Sequence, residues 1–296
     1  MVEPLVLVLG ARGMLGTDVM AALAAAGVPA MGLDLPDFDI TDAAALCSVL
    51  ESCGRGDYAP NRPVDGSPAA VINCAAYTDV EGAEDDEALA HRINADAVGA
   101  LGRLAAEAGV YVVHVSTDFV FDGRKDGAYT EADEPNPLSA YGRTKLAGER
   151  ALVESGCRHG ILRIQWTYGR AGRHFVSKVA DLARSRDRIK VVDDQIGAPT
   201  ATTEVAAAIL ALLGARAEGL YHFAAAGVAT RFDVARVIVG CLGLATVVEP
   251  CTSDTFPMKA DRPANSRFDC TRIEALLGRP IRPWREVLAE YLEEGR

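Results

Sequence analysis

Leu5-Val6-Leu7-Val8-Leu9-Gly10-Ala11-Arg12-Gly13-Met14-Leu15-Gly16 decides the fold: five apolar residues run into three glycines at three-residue spacing, and an alanine-rich stretch from 14 to 26 succeeds them. Strand, glycine turn and helix, in that order, bring backbone N–H groups and a helix N-terminus up to a dinucleotide pyrophosphate. Glycines at helix entrances also serve close packing, so the rest of the chain must support the reading. Further apolar runs at 28–33, 70–73, 110–115 and 161–164 alternate with helix-like stretches near 42–53, 86–108 and 137–156. This alternation predicts an α/β protein with a Rossmann-type, doubly wound parallel sheet. After Trp166 the pattern loosens, but a helix over 203–213 and a strand over 220–223 should return to the sheet. A dinucleotide-binding unit over 1–166, rejoined by 197–225, is therefore expected to interleave with a smaller substrate-binding region over 167–296. The stretch 54–68, rich in Gly, Pro and Asp, reads as a mobile surface excursion without chemistry.

The 296 residues, 49% of them apolar, are enough to bury a sizeable core. No apolar run approaches the roughly 20 residues that span a bilayer, and the N-terminus enters the first strand without the regions of a signal peptide, so a soluble, cytoplasmic protein is expected. The seven cysteines are odd in number and form no Cys-x-x-Cys pair, as reduced thiols do, and no metal is expected on them. A net charge of −11 argues against nucleic acid as a partner. Residues 1–150 carry 10 Lys/Arg against 24 Asp/Glu, whereas residues 151–296 carry 20 against 17. An anionic small molecule would find its countercharges in the second half.

Tyr141 and Lys145 stand four apart in a helix-like stretch and would share one face, where an ammonium beside a phenol favours the ionised phenol. Such a tyrosine can exchange protons near neutral pH. Ser116-Thr117-Asp118 closes the run 110–115, at the carboxyl edge where open α/β sheets hold ligands, and a hydroxyl there can donate to a carbonyl oxygen as charge develops on it. Asp34 ends the second strand, placed to accept from adenosine ribose hydroxyls, while Arg12 inside the glycine turn could neutralise a 2′-phosphate. These two pull in opposite directions, so NADPH and NADH both stay open. In Asn73-Cys74-Ala75-Ala76 small side chains allow a dinucleotide close to the backbone.

Gly10-x-x-Gly13-x-x-Gly16, Tyr141-x-x-x-Lys145 and Ser116-Thr117-Asp118-Phe119-Val120-Phe121-Asp122-Gly123 together resemble the extended short-chain dehydrogenase/reductases, and within them the dTDP-4-dehydrorhamnose reductases. Asp39-Ile40-Thr41-Asp42, the run 71–78, Val191-Val192-Asp193-Asp194-Gln195-Ile196-Gly197-Ala198-Pro199-Thr200 and Arg262-Pro263-Ala264-Asn265-Ser266-Arg267 are similar to segments of that family, and the match runs nearly end to end. The resemblance implies reduction of the 4-keto group of a nucleotide-linked deoxysugar by NADPH or NADH, with use of both expected. It makes Thr117, Tyr141 and Lys145 the catalytic trio. Gly10, Arg12, Gly13, Met14, Leu15, Gly16, Asp34, Asp39, Ile40, Ala75, Ala76 and Tyr77 would line the cofactor together with Tyr141 and Lys145. Asp118, Trp166, Asn265 and Arg267 would meet the substrate.

Phe119 departs from the pattern, standing where a tyrosine is common. Some members hold a metal at a dimer contact through carboxylates; Asp18 and Glu204 lie near the corresponding places without reproducing the set, so a homodimer is compatible with the chain but neither metal nor dimer is carried over. A nucleotide-sugar 4,6-dehydratase or epimerase of the same superfamily is the nearest enzymatic alternative. A dehydratase resembling this chain places a glutamate after the Thr-Asp pair to help expel water, and Phe119 cannot ionise. A non-catalytic regulatory subunit resembling that of methionine adenosyltransferase shares the fold, but has no need of an activated phenol.

Overall fold

The computed structural model describes residues 5–55 and 70–294. Of the excursion expected at 54–68, residues 54 and 55 end the helix Ala43–Arg55, and the rest lies outside the described residues. Six parallel strands form one sheet, ordered Ala30–Leu33, Val6–Leu9, Ala70–Asn73, Tyr111–Thr117, His159–Ile164 and Gly219–Phe223 from edge to edge. The predicted return of the last strand is observed.

Val6–Leu9 is buried on both faces, which is why it reads as an unbroken apolar run rather than an alternating one. Leu7 and Leu9 pack with Leu46, Leu101 and Leu152 on one side of the sheet, while Val6 and Val8 pack with Val19, Leu23, Ile209 and Leu212 on the other. Each buried leucine contributes about 1.5–3 kcal/mol, so the two helix layers hold the sheet, and the loops at its carboxyl edge are left for ligands. The chain leaves Val6–Leu9 toward one edge and crosses back to Ala70–Asn73 on its other side. A crevice opens at that reversal.

The stretch 86–108 is one helix in the sequence reading and three pieces in the structure: Glu87–His91, a π-helical turn Arg92–Asp96, and Ala97–Ala108. The cause is a close approach of two helices. A Cβ on Gly148 would lie 2.0 Å from the Asn94 carbonyl oxygen, so a glycine lets the turn bulge inward. There the Asn94 side chain takes the Tyr77 N–H at 2.8 Å and donates to Thr144 Oγ1 at 3.1 Å.

Beyond the sheet, helices Phe175–Ser185, Arg231–Cys241 and Trp284–Glu294 enclose a separate apolar cluster with the paired strands Arg188–Val192 and Val247–Cys251. Short ladders at 167–168 with 200–201, and at 196–197 with 229–230, lie between this cluster and the carboxyl edge of the sheet. Trp166, just before the strand at 167–168, and Arg231, just after that at 229–230, border the crevice.

Candidate active site

The crevice is a cleft of about 680 Å³, within the range of small-molecule sites. Its floor exists because two turns touch: Gly10 has φ +74°, and a Cβ there would come within 2.7 Å of the Ala75 nitrogen. At Gly16 a Cβ would fall 2.0 Å from the Gly10 carbonyl oxygen. This cradle of bare backbone ahead of the helix Met14–Ala25 fits a dinucleotide pyrophosphate. Gly10, Gly13, Met14, Leu15, Gly16, Asp34, Asp39, Ile40, Ala75 and Ala76 all border the cleft.

Two residues expected at the cofactor are placed differently. Arg12 is not on the cleft wall: its N–H donates to Asp34 Oδ2 at 2.7 Å, and its guanidinium donates to the Leu35 carbonyl at 2.9 Å and to Asp37 Oδ2 at 2.5 Å. Asp37 holds the arginine side chain at the surface, beside Asp34 rather than in the cleft. Tyr77 is also absent from the wall, its backbone held by Asn94.

Tyr141 and Lys145 lie on the helix Ala140–Glu154, whose start is set by Ser139 Oγ accepting from the Gly142 N–H and by Glu84 accepting from the Ala140 N–H at 2.7 Å. Thr117, at the end of its strand, receives the Phe119 N–H at 3.3 Å and donates to Asp118 Oδ1 at 3.1 Å. All three border the cleft with Phe119, whose ring meets Tyr141 edge-on at 5.4 Å. The electrostatics differ from expectation. Burial pushes the Tyr141 phenol up to about 12 against a lowering by the Thr117 hydroxyl, and Lys145 instead points its Nζ at the Val115 carbonyl, 2.7 Å away. Burial brings Lys145 itself down to about 8, opposed by Glu149. The phenol is therefore neutral across ordinary assay pH, which is the form a proton donor requires.

Asp118 is buried, bordering the cleft, and accepts from Ser266 Oγ at 2.5 Å. Trp166 holds a left-handed backbone at φ +45° with Gly197 against its indole, where a Cβ would come within 2.7 Å of Cε2. A bulky residue in that region costs on the order of 1–3 kcal/mol and persists where its surroundings impose it. Arg231 also meets the indole, its guanidinium carbon 3.6 Å from the Trp166 ring centroid and 4.9 Å from that of Phe175. Among the described residues Arg231 makes no hydrogen bond or ion pair, and it borders the cleft. Asn265 and Arg267 do not. The Asn265 amide donates to the carbonyls of Lys125 and Gly127, and Arg267 Nε donates to Asn265 Oδ1, so the pair braces the 125–127 turn while Ser266 between them reaches Asp118.

Sequence reasoning missed Asn94, Ser266 and Arg231, which lie far along the chain from the motifs they serve. The unbalanced charge of the second half was the one available signal for Arg231. Glu204 lies 3.5 Å from Arg282 Nη1 and 3.7 Å from Arg279 Nη2, and Asp18 accepts from Thr202 Oγ1. Among the described residues no three His, Cys, Asp or Glu side chains form a group that could hold a metal.

Burial raises Asp118 to about 6 from an ordinary 3.8, with Ser266, Thr117 and Arg231 opposing the shift. The folded chain then binds this proton more tightly than the unfolded chain, so stability from this group is full below about pH 4 and is lost as pH rises through about 6. Asp118→Asn is expected to raise the unfolding free energy by about 1–3 kcal/mol at pH 7.5, with the gain vanishing toward pH 4. Urea denaturation at both pH values checks this; a variant less stable than the parent at pH 7.5 contradicts it.

Comparison with known proteins gives a consistent set of relatives. The family model for the RmlD substrate binding domain matches residues 4–296. The dTDP-4-dehydrorhamnose reductase of Mycobacterium tuberculosis is 40% identical over 291 residues, covering 96% of this chain and 90% of that protein. A crystal structure of a dTDP-4-dehydrorhamnose reductase from Clostridium acetobutylicum superposes with a TM-score of 0.89 at 34% identity, covering 98% of this chain and 99% of the other. That of the Bacillus anthracis dTDP-4-dehydrorhamnose reductase in complex with NADP gives 0.90 at 30% identity, covering 99% of both chains.

Proposed function

Because the chain belongs to the RmlD substrate binding domain family, we propose that its cleft carries out NAD(P)H-dependent reduction of the 4-keto group of a nucleotide-linked deoxysugar, converting dTDP-4-dehydro-β-L-rhamnose to dTDP-β-L-rhamnose. The observation that carries this reading is the meeting of Thr117, Tyr141 and Lys145 with the glycine cradle in one cleft. A reduced nicotinamide bound there supplies the hydride for C4. Tyr141 gives its phenolic proton to the developing alkoxide, and Thr117 donates a hydrogen bond to the same oxygen. Lys145 holds the cofactor ribose. Asp118 and Trp166 meet the sugar, and Arg231 offers an unfilled guanidinium fork to the substrate diphosphate, for which a planar bidentate donor is suited.

In this reading residues 1–166, with 197–225, hold the dinucleotide, and the remainder of 167–296 holds the sugar nucleotide. The dehydratase alternative lacks support at the position that matters, since the neighbour of Asp118 is a phenyl ring packed on Tyr141. No helix among the described residues is long and apolar enough to cross a membrane. The direct test is cofactor oxidation, monitored by absorbance, with the 4-keto sugar nucleotide as substrate.

Both cofactors are expected to serve. Asp34 faces the cleft as a ribose acceptor, while the Arg12–Asp37 pair is exposed and worth little, so a 2′-phosphate can recruit Arg12. Arg12→Ala should weaken NADPH more than NADH by about 1–3 kcal/mol, and Asp37→Asn, which frees Arg12, should favour NADPH. Dissociation constants from cofactor fluorescence decide it; equal losses for both cofactors would show that Arg12 does not read the phosphate.

A further inference from the structure

Outside the groups assigned to chemistry, one buried carboxylate joins three elements behind the catalytic residues. Glu149 comes after Tyr141 and Lys145 at four-residue steps along the helix Ala140–Glu154, so the three share a face. Its Oε1 accepts from Ser116 Oγ at 2.5 Å and from Arg163 Nε at 2.9 Å, and its Oε2 accepts from Arg163 Nη2 at 2.6 Å. Ser116 and Arg163 stand directly opposite each other on neighbouring strands. Ser116, Lys145, Glu149 and Arg163 are each at most 5% exposed.

The helix therefore grips the strand Tyr111–Thr117 at two successive residues: Lys145 takes the Val115 carbonyl, and Glu149 takes the Ser116 hydroxyl. The next residue is Thr117, the hydroxyl facing Tyr141. We propose that Glu149 is a positioning residue, whose bonds to Ser116 and Arg163 fix the register that sets Thr117 against Tyr141 and whose charge compensates the buried Lys145. This rests on the reductase reading for what the register serves, though not for the register itself.

The charges around Lys145 leave Glu149 without a substitute. On its own helix Tyr141 is neutral, its phenol pushed up to about 12. Cys74, from the turn after Ala70–Asn73, is a neutral thiol raised to about 12 by burial, and His114 on the adjacent strand is held well below its ordinary value by burial and by Lys145. Arg163 is a second cation on the far side of Glu149. Removing the carboxylate charge leaves two buried cations without the carboxylate that compensates both, and the Lys145 proton is the one that can leave.

The test reads Lys145 directly, by an NMR titration of its ε-carbon in protein carrying ¹³C-labelled lysine, alongside turnover. The parent midpoint should lie near 8. Glu149→Gln should lower that midpoint by about one unit or more, and Glu149→Asp should restore it. Ser116→Ala, which loosens only the grip on the strand, should lower kcat about tenfold while leaving the Lys145 midpoint unchanged. An unchanged midpoint in Glu149→Gln, or parent kcat in Ser116→Ala, overturns the proposal; should Glu149→Gln not fold, Ser116→Ala alone still decides the register. A shifted midpoint in a protein that oxidises no cofactor with the keto sugar would refute the reductase reading and leave the charge assignment standing.

Discussion

Tyr141→Phe is expected to lower kcat by about 10²–10⁴ while the affinity for NADH stays within about tenfold. The substitution removes the transferable proton and keeps the ring that packs edge-on against Phe119, so the helix and the cradle are untouched. Because burial pushes the phenol up to about 12 and brings Lys145 down to about 8, the alkaline limb of the parent is expected to follow Lys145. The alkaline midpoint should therefore be the same in parent and variant, with the variant low throughout. Single-turnover rates across pH 6–10, with cofactor binding measured in parallel, check both parts. Near-parent kcat in folded Tyr141→Phe would remove the proposed acid.

Arg231→Ala is expected to raise KM for the nucleotide sugar roughly 10- to 100-fold with a smaller fall in kcat, the loss of a hydrogen-bonded charge pair of about 1.5–3 kcal/mol. The guanidinium carbon sits 3.6 Å from the Trp166 ring centroid with no hydrogen-bond acceptor among the described residues, and burial lowers the group to about 9, leaving it charged at neutral pH. A half-buried cation on the cleft wall without a hydrogen-bond acceptor is unfavourable unless a ligand completes it. Arg231→Lys keeps the charge and loses the fork, so it should recover only part of the affinity. For the parent, KM should rise with ionic strength, and the free keto sugar lacking the diphosphate should react poorly, because remote binding energy positions the reacting carbon. Equal kcat/KM for the free and nucleotide-linked sugars would contradict this placement.

The sheet was legible because parallel strands covered on both faces must be nearly all apolar. The runs at 5–9 and 70–73 state this openly, and the helices between them carry the expected alternation. The glycine cradle was equally open, since spacing alone shows where side chains are missing. What sequence could not show was direction. Arg12 and Asp34, read as opposing influences on the cofactor, are neighbours in space, yet Asp37, three residues on, decides where the arginine points. Asn265 and Arg267 belong to a motif whose middle residue, Ser266, is the one that bonds Asp118. Four-residue spacing placed Tyr141 and Lys145 on one face, but the depth of burial, which reverses the expected lowering of the phenol, is a property of the assembled layers. The break at Asn94 needed Gly148, more than fifty residues away, to make room for it.

The reductase account is tested most directly by incubating the protein in two parallel reactions and counting cofactor and product by absorbance and mass. With dTDP-4-dehydrorhamnose and NADPH or NADH, the account predicts one reduced cofactor consumed for each keto group reduced. With dTDP-glucose and NAD it predicts no product, because a dehydratase needs an ionisable side chain to help water leave and Phe119 offers none. Catalytic formation of a 4-keto-6-deoxy sugar in the second reaction, or failure to oxidise either cofactor in the first, would contradict it.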